Sequence, residues 1–553
     1  MSRRPSPGLA SLSAGASALA LLCVPHAALA QNESQPGETS QGETAAAPPG
    51  GAVQLAMAPA QPAGDPGQSS DGDDGLLIGS IAIEGNEELG ADSFATVVEA
   101  NIGEVMEDED LRRVVSEVAG IARDRGYVFA TARLPEQSVE HGILTIELDE
   151  GRIDEVRIKG SDNAALRRFL APLEGSIAHR ETVERRILLA GDLPEIRIRK
   201  TRFLKKDGRN ILEVRVSENR DRIRAAIDNY GSQRIGPTRA RLSYDFRGFL
   251  DGSDRGTVSV RSNPLDPEEF AFASASYSVG IGNQGTRVGV AASIGTNQPG
   301  GGFVNVEGDT EFVEVFANHP ITRSRDASLW VNASLAYLSV EQDDVVGLLR
   351  QDNQVTFSVG LSSNVKFLSG RLRTGATLIQ GLDVLNATRE GSRFASRFDG
   401  DAVFTAGNFY ANWRGRLGGN WGMLLGVEGQ IANRPLLAAQ EFNIGGPFSV
   451  RGFDFAELAG DNGFAAIAEI NYTFRKPTDW IDRLQPYGFI DGGYVDDLQL
   501  LRGGGTLISS GLGLRGNAGP VNFELEGAVP LNRDRNQSRD RSPHLNVRVG
   551  LDL

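Results

Sequence analysis

Arg451 and Asp491 are the residues of this 553-residue chain whose surroundings point to chemistry. The guanidinium is isolated within Glu441-Phe-Asn-Ile-Gly-Gly-Pro-Phe-Ser-Val-Arg-Gly-Phe453: no charge lies between Glu441 and Arg451, and the next is Asp454. Gly445, Gly446, Pro447 and Gly452 favour a tight reversal, while Phe448, Val450 and Phe453 suit neither an open loop nor a strand. The stretch reads as a hairpin tip folded into a protein-lined cavity. A cation carried there needs a carboxylate, because an unpaired buried charge is strongly unfavourable. The candidate is Asp491, in Tyr487-Gly-Phe-Ile-Asp-Gly-Gly-Tyr494. It shares a strand face with Phe489 and Gly493, opposite Ile490 and Tyr494, and Gly493 removes a side chain where a loop tip can approach. The chemistry implied is anchoring by a charge-assisted, bidentate contact.

Other polar residues read as a hydrated wall around that pair: Glu428, Glu469, Asn471, Glu524, Glu526 and Arg548. Gly511 and Gly513 are expected to leave room for an inserted loop or cargo. No catalytic or metal constellation stands out. No His opens an H-E-x-x-H pattern, no Gly precedes a Lys as a phosphate loop requires, and His141, His179, His319 and His544 are isolated from one another. No cofactor is expected. The net charge of −16 argues against a nucleic-acid surface, whose footprint is basic.

The elements that position the pair begin after an export segment. Residues 1–30 read as a signal peptide: Arg3 and Arg4, an Ala/Leu-rich core, then Ala28-Leu29-Ala30 as the cleavage site. The single cysteine, Cys23, leaves with it, so the exported chain has neither a disulfide framework nor a thiolate metal site. Residues 31–75 hold seven acidic residues and no Lys or Arg among Pro, Gly and Gln, the composition of a disordered spacer. From Leu76 the pattern becomes β-α-α-β-β over 76–150. Leu111, Val114, Val115, Val118, Ile121 and Ala122 form one helical face. A second copy in the same order occupies 151–219. Each copy offers a sheet edge able to accept an extended peptide.

From 220 to 553 the helical period disappears. Alternating segments take over, such as Val355, Phe357, Val359 and Leu361 against Thr356, Ser358 and Gly360, and Leu545, Val547, Val549 and Leu551 against Asn546, Arg548 and Gly550. No apolar run reaches the ~18 residues of a spanning helix, so any membrane crossing must use strands. The length of the region, its alternation of short and long connections and the export signal point to an antiparallel transmembrane β-barrel. At roughly twenty residues per strand and connection it has about sixteen strands, with apolar residues facing lipid. Counting strands back from a periplasmic Leu553 places the connection 434–462 outside, so the Arg451 stretch is an extracellular loop turned into the lumen.

These residues resemble the two-partner secretion transporters, the hemolysin activation/secretion protein family of the outer-membrane assembly-factor superfamily. Gly126-Tyr-Val, Leu134-Pro-Glu-Gln137, Gly142-Ile-Leu and Glu150-Gly-Arg-Ile153 are similar to that family's first polypeptide-transport-associated (POTRA) domain. Glu184-Arg-Arg-Ile-Leu-Leu with Asp192-Leu-Pro194 is similar to the second. Asp228-Asn-Tyr-Gly-Ser232 with Gly236 resembles the start of the barrel, and His319-Pro-Ile-Thr-Arg-Ser-Arg325 a recurring barrel segment. Gly445-Gly, Val450-Arg-Gly-Phe453 and Phe489-Ile-Asp-Gly-Gly493 match the superfamily's loop and strand signatures, in which the loop arginine meets the strand aspartate.

The resemblance implies a non-enzymatic outer-membrane pore with periplasmic POTRA domains. Such a pore exports a large β-helical passenger without ATP and has outer-membrane lipid, periplasmic chaperones and the barrel-assembly machinery as further partners. The alternative is a barrel assembly or insertion factor of the same superfamily. The chain departs from the family pattern in three places. No amphipathic plug helix precedes Leu76, Glu195 follows Pro194 where glycine is usual, and Leu553 stands where a terminal phenylalanine is common.

Overall fold

The computed structural model describes residues 76–137, 142–232, 236–298, 306–498 and 504–553. The expected signal peptide, spacer and plug position lie outside the described residues. Two compact units are present, one ending at Asn219 and one running from Arg220 to Leu553.

In the first unit each repeat buries one helical layer against a three-stranded sheet. The first comprises β1 (Leu76–Leu77), β2 (Ser80–Glu84), a 3-10 turn (Ala91–Phe94), α1 (Ala95–Asn101), β3 (Val105–Met106), α2 (Asp108–Asp124), β4 (Thr131–Arg133) and β5 (Ile143–Asp149). Strand β5 lies between β2, which it pairs in parallel, and β4, which it pairs antiparallel. The short pairing of β1 with β3 was not expected from sequence. Helix α2 starts at a capping box formed by Glu107 and Asp110. It presents Val114, Val118 and Ala122 to Phe94, Leu144 and Ile146, with Leu111, Val115 and Ile121 at the rim of that core.

The second repeat comprises β6 (Glu155–Lys159), α3 (Ala164–Leu170), α4 (Arg180–Gly191), β7 (Ile196–Lys206) and β8 (Arg209–Glu218), with sheet order β6-β8-β7. Leu166, Phe169, Leu173, Leu212 and Val214 are among its core residues. Within this unit the repeats touch through the Tyr127 and His179 rings, 5.1 Å apart, and through Phe129 edge-on to Phe203 at 5.1 Å.

The second unit is a closed antiparallel barrel of sixteen strands, one of them interrupted at Thr473. Closure comes from Arg222–Asp228, which pairs with both its neighbour Arg239–Arg247 and the last strand, His544–Asp552. Ile223 and Leu553 exchange backbone hydrogen bonds of 3.0 and 2.9 Å. Because the strand number is even, the barrel begins and ends at one rim.

The alternation has the expected sense. Leu335, Phe357, Val359, Leu361, Ile490 and Leu545 stand exposed on the outer wall, where hydrocarbon is the favourable neighbour. The inner wall carries polar ladders, including Ser243 to Ser259 at 2.9 Å and Ser334 to Ser358 at 2.8 Å. Every backbone polar group along a closed barrel finds a partner in the next strand, which lets such a sheet cross lipid. At one end, Trp421, Tyr472 and Phe474 form an edge-to-face stack with 5.0 and 4.8 Å spacings, the residue types favoured at a membrane–water boundary.

Candidate functional site: a hairpin held inside the barrel

The long connection between Trp421–Ala432 and Asn462–Tyr472 turns inward. Its arms, Phe442–Ile444 and Leu458–Gly460, form a small antiparallel hairpin. The turn beyond Ile444 uses Gly445 and Gly446 at φ +110° and +95°, a region that side chains other than glycine rarely adopt. Apolar burial seats the hairpin: Ile444, Val450 and Phe453 are buried against Ala465, Val495 and Leu507 of the inner wall. Two glycines are required for the approach. A Cβ on Gly493 would lie 2.9 Å from Ile444, and one on Gly452 2.7 Å from the Ser509 side chain.

Arg451 lies at the tip of this hairpin and its side chain is 7% exposed. Nε donates to Asp491 Oδ2 at 2.9 Å, and the Arg451 backbone N–H donates to the same oxygen at 3.3 Å. The expected bidentate pair does not form. Nη1 instead donates to Glu526 Oε2 at 2.8 Å and lies 3.6 Å from Glu469. The guanidinium therefore links carboxylates from three strands. Its plane lies over the Phe489 ring, 3.2 Å from the centroid, so the motif phenylalanine serves as a cation–π floor. Asp491 also accepts from the Ser509 hydroxyl, which in turn accepts the Gly452 N–H at 3.0 Å.

A second arginine–aromatic layer lies beside the first. Arg515 stands 4.5 Å over Tyr487 and donates to Glu469 at 2.5 Å and to Gln485 at 2.6 Å. Tyr487 donates toward Glu524 and Glu526, each at 2.9 Å, and Asn546 donates to Glu526 at 3.1 Å. Glu469 and Glu526 are thus part of the anchor, and Glu524 is one hydrogen bond away from it. Asn471 accepts from Gln485 at 3.0 Å. Glu428 lies apart on the lumen wall, and Arg548 lines a small lumen cavity with Arg483, Arg515 and Glu524.

Two expectations are corrected. Phe448 is not sheltered: it is 65% exposed within the loop and touches Tyr230 edge-on at 5.7 Å. Gly511 and Gly513 do not make room for the loop or a cargo. In the register they face Phe489 and Tyr487, and a Cβ on either would meet those rings at 2.5 and 2.2 Å. The rings that floor the two arginines occupy the space these glycines vacate.

Ser509, Tyr487, Arg515 and Asn546 escaped sequence reasoning. The available signal was the every-second-residue series Tyr487, Phe489, Asp491 facing Gly513, Gly511, Ser509, which needs the inter-strand register to be read.

Comparison with known proteins agrees with this architecture. Residues 208–516 match the model of the haemolysin secretion/activation protein family ShlB/FhaC/HecB, and residues 76–151 match the ShlB-type POTRA domain. The heme/hemopexin transporter protein HuxB of Haemophilus influenzae strain 86-028NP is 23% identical over 82% of this chain and 83% of its own. The outer membrane transporter CdiB of Escherichia coli is 22% identical over 82% and 79%. A solved structure of CdiB from Escherichia coli shares the fold, with a TM-score of 0.76 and 19% identity over the whole of both chains. The chain therefore belongs to the haemolysin secretion/activation protein family, the outer-membrane transporters of two-partner secretion, with its POTRA region in the periplasm.

Proposed function

We propose that this protein is the pore through which one large secreted protein, a β-helical passenger, leaves the periplasm for the cell surface. The observation that carries the reading is the hairpin in the lumen: an apolar seat and one multiply paired guanidinium hold an extracellular loop where a translocating chain would pass. In the resting form the loop narrows the passage. Exchange of the Arg451 contacts releases it. The POTRA repeats receive the unfolded passenger, and their exposed sheet edges suit extended segments. Passenger folding outside would draw export forward, since the periplasm offers no nucleotide. The role is transport rather than catalysis, and the relatives named as transporters of heme/hemopexin and of hemolysin support that class.

Deleting the gene should strand a single signal-bearing protein in the periplasm while the general outer-membrane protein profile stays normal. A global loss of outer-membrane barrels would instead establish the assembly-factor alternative and overturn this reading.

A further inference from the structure

We infer that Arg397 is a positioning residue for the pore loop: it staples both feet of the hairpin to a second extracellular loop, which acts as a latch separate from the Arg451 anchor. The inference deepens the gated-pore reading and rests on it.

Arg397 belongs to the connection between Gly370–Leu382 and Thr405–Gly418. Its side chain is 13% exposed. Nη1 donates to Glu441 Oε1 at 2.5 Å and to Asp461 Oδ1 at 2.8 Å, and Nη2 approaches Asp461 Oδ2 at 3.4 Å. Glu441 immediately precedes one arm of the hairpin, and Asp461 immediately follows the other. One cation thus bridges the two points at which the hairpin leaves the wall. Asp399 and Asp497 lie 3.2 and 3.7 Å from the same guanidinium, so four carboxylates gather around it. Asp461 also accepts the backbone N–H groups of Leu436 at 2.7 Å and Leu498 at 2.9 Å.

The latch loop is itself tied down on the inner side. Ser396 accepts the Ala438 N–H at 3.0 Å, and its own N–H donates to Asp352 at 3.0 Å, while Gln351 donates to the Phe394 carbonyl at 2.7 Å. Leu436 and Leu437 are buried beneath it, and a Cβ on Gly400 would lie 2.8 Å from the Leu436 carbonyl oxygen. Hydrophobic packing places the loop, and the guanidinium neutralises feet that would otherwise repel each other. To swing outward, the hairpin must break the Arg451 contacts at its tip and the Arg397 contacts at its base.

The test uses the full chain in liposomes with Ser449→Cys as the reporter. The mature chain has no other thiol. The rate of reaction with a membrane-impermeant maleimide added outside measures exposure of the tip. Loss of two charge-assisted hydrogen bonds should raise that rate by at least about tenfold in Arg397→Gln. Arg397→Lys, which restores the charge, should recover most of the protection. Heat-modifiable mobility should confirm an intact barrel in each variant.

A rate within about threefold of the parent for Arg397→Gln, with the barrel intact, overturns the inference. Should Arg397→Gln fail to fold, a Ser396→Cys/Ala438→Cys pair in a chain that keeps Ser449 decides the matter by single-channel recording. Oxidation should lengthen the low-conductance dwells and reduction restore them, whereas dwells indifferent to oxidation refute the latch. These readouts need no passenger. Their failure would leave export itself standing, while failure of the gene-deletion experiment would remove export and leave the latch intact.

Discussion

Neutralising the two ends of the loop anchor should have unequal effects, because Arg451 has more than one partner. In Arg451→Gln the carboxylates of Asp491 and Glu526, with side chains 0% and 5% exposed, both lose their cation. Breaking a buried pair by deleting the partner costs about 3–5 kcal/mol. In Asp491→Asn the guanidinium keeps Glu526 at 2.8 Å and its seat over Phe489. The loss there is nearer to one charged hydrogen bond, about 1.5–3 kcal/mol. At 1.4 kcal/mol per decade, the ratio of withdrawn to seated loop rises by roughly two to three and a half decades for the first variant and about one to two for the second. Single-channel recording in planar bilayers reads this ratio as dwell times in high- and low-conductance states. Arg451→Lys should fall near the arginine deletion, since one ammonium cannot reproduce the planar fork that spans Asp491 and Glu526. Equal effects for Arg451→Gln and Asp491→Asn, or a dwell ratio within about threefold of the parent for Arg451→Gln, would refute the bridging geometry.

Further outcomes follow from other parts of the molecule. Gly493→Val and Gly452→Ala place atoms where Ile444 and the Ser509 side chain already sit, so both should displace the hairpin and increase high-conductance openings; Gly527→Ala, with no atom within 4 Å of the added Cβ, should not. Burial raises the Glu441 carboxyl to about 7, against the pull of Arg397 and with Asp497 and Asp461 reinforcing the rise. A carboxylate raised in the seated state favours that state as it takes up a proton. Relative to a free thiol at the same pH, which corrects for thiolate formation, labelling of Ser449→Cys should therefore be slower at pH 6 than at pH 8, and Glu441→Gln should flatten that corrected difference; an unchanged corrected profile in the variant removes Glu441 as the titrating group. In the second repeat, the hydrogen bond from Lys159 holds the buried Glu213 carboxyl below its usual range, with Arg215 assisting against the opposing effect of burial. That contribution is present above the ordinary carboxylate range and lost as pH falls through the lowered value. Protection factors of the β7 and β8 amides, taken against the intrinsic exchange rate at each pH, should fall on acidification in the parent and show a weaker acid dependence in Glu213→Gln.

Much of the architecture was legible because it rests on period and punctuation. Residues two apart must share a strand face, so Val355 to Leu361 and Leu545 to Leu551 disclosed a wall with one apolar side. The helical stripe from Leu111 to Ala122 disclosed the first repeat's core. A lone guanidinium among glycines and phenylalanines demanded a buried partner, and Asp491 was identifiable because it lies on the strand face opposite Ile490 and Tyr494, where Gly493 leaves room for a loop tip. The tertiary structure decided what depends on register and on loops that meet across the lumen. Alternation says which face a side chain occupies but not which residue stands opposite, so the pairing of Phe489 with Gly511 and the sharing of Arg451 among Asp491, Glu526 and Glu469 could not be derived. Arg397, 44 residues from Glu441 and 64 from Asp461, has no periodic relation to either. Only closure of the barrel, which brings separate extracellular connections over one opening, places those charges within a hydrogen bond of each other.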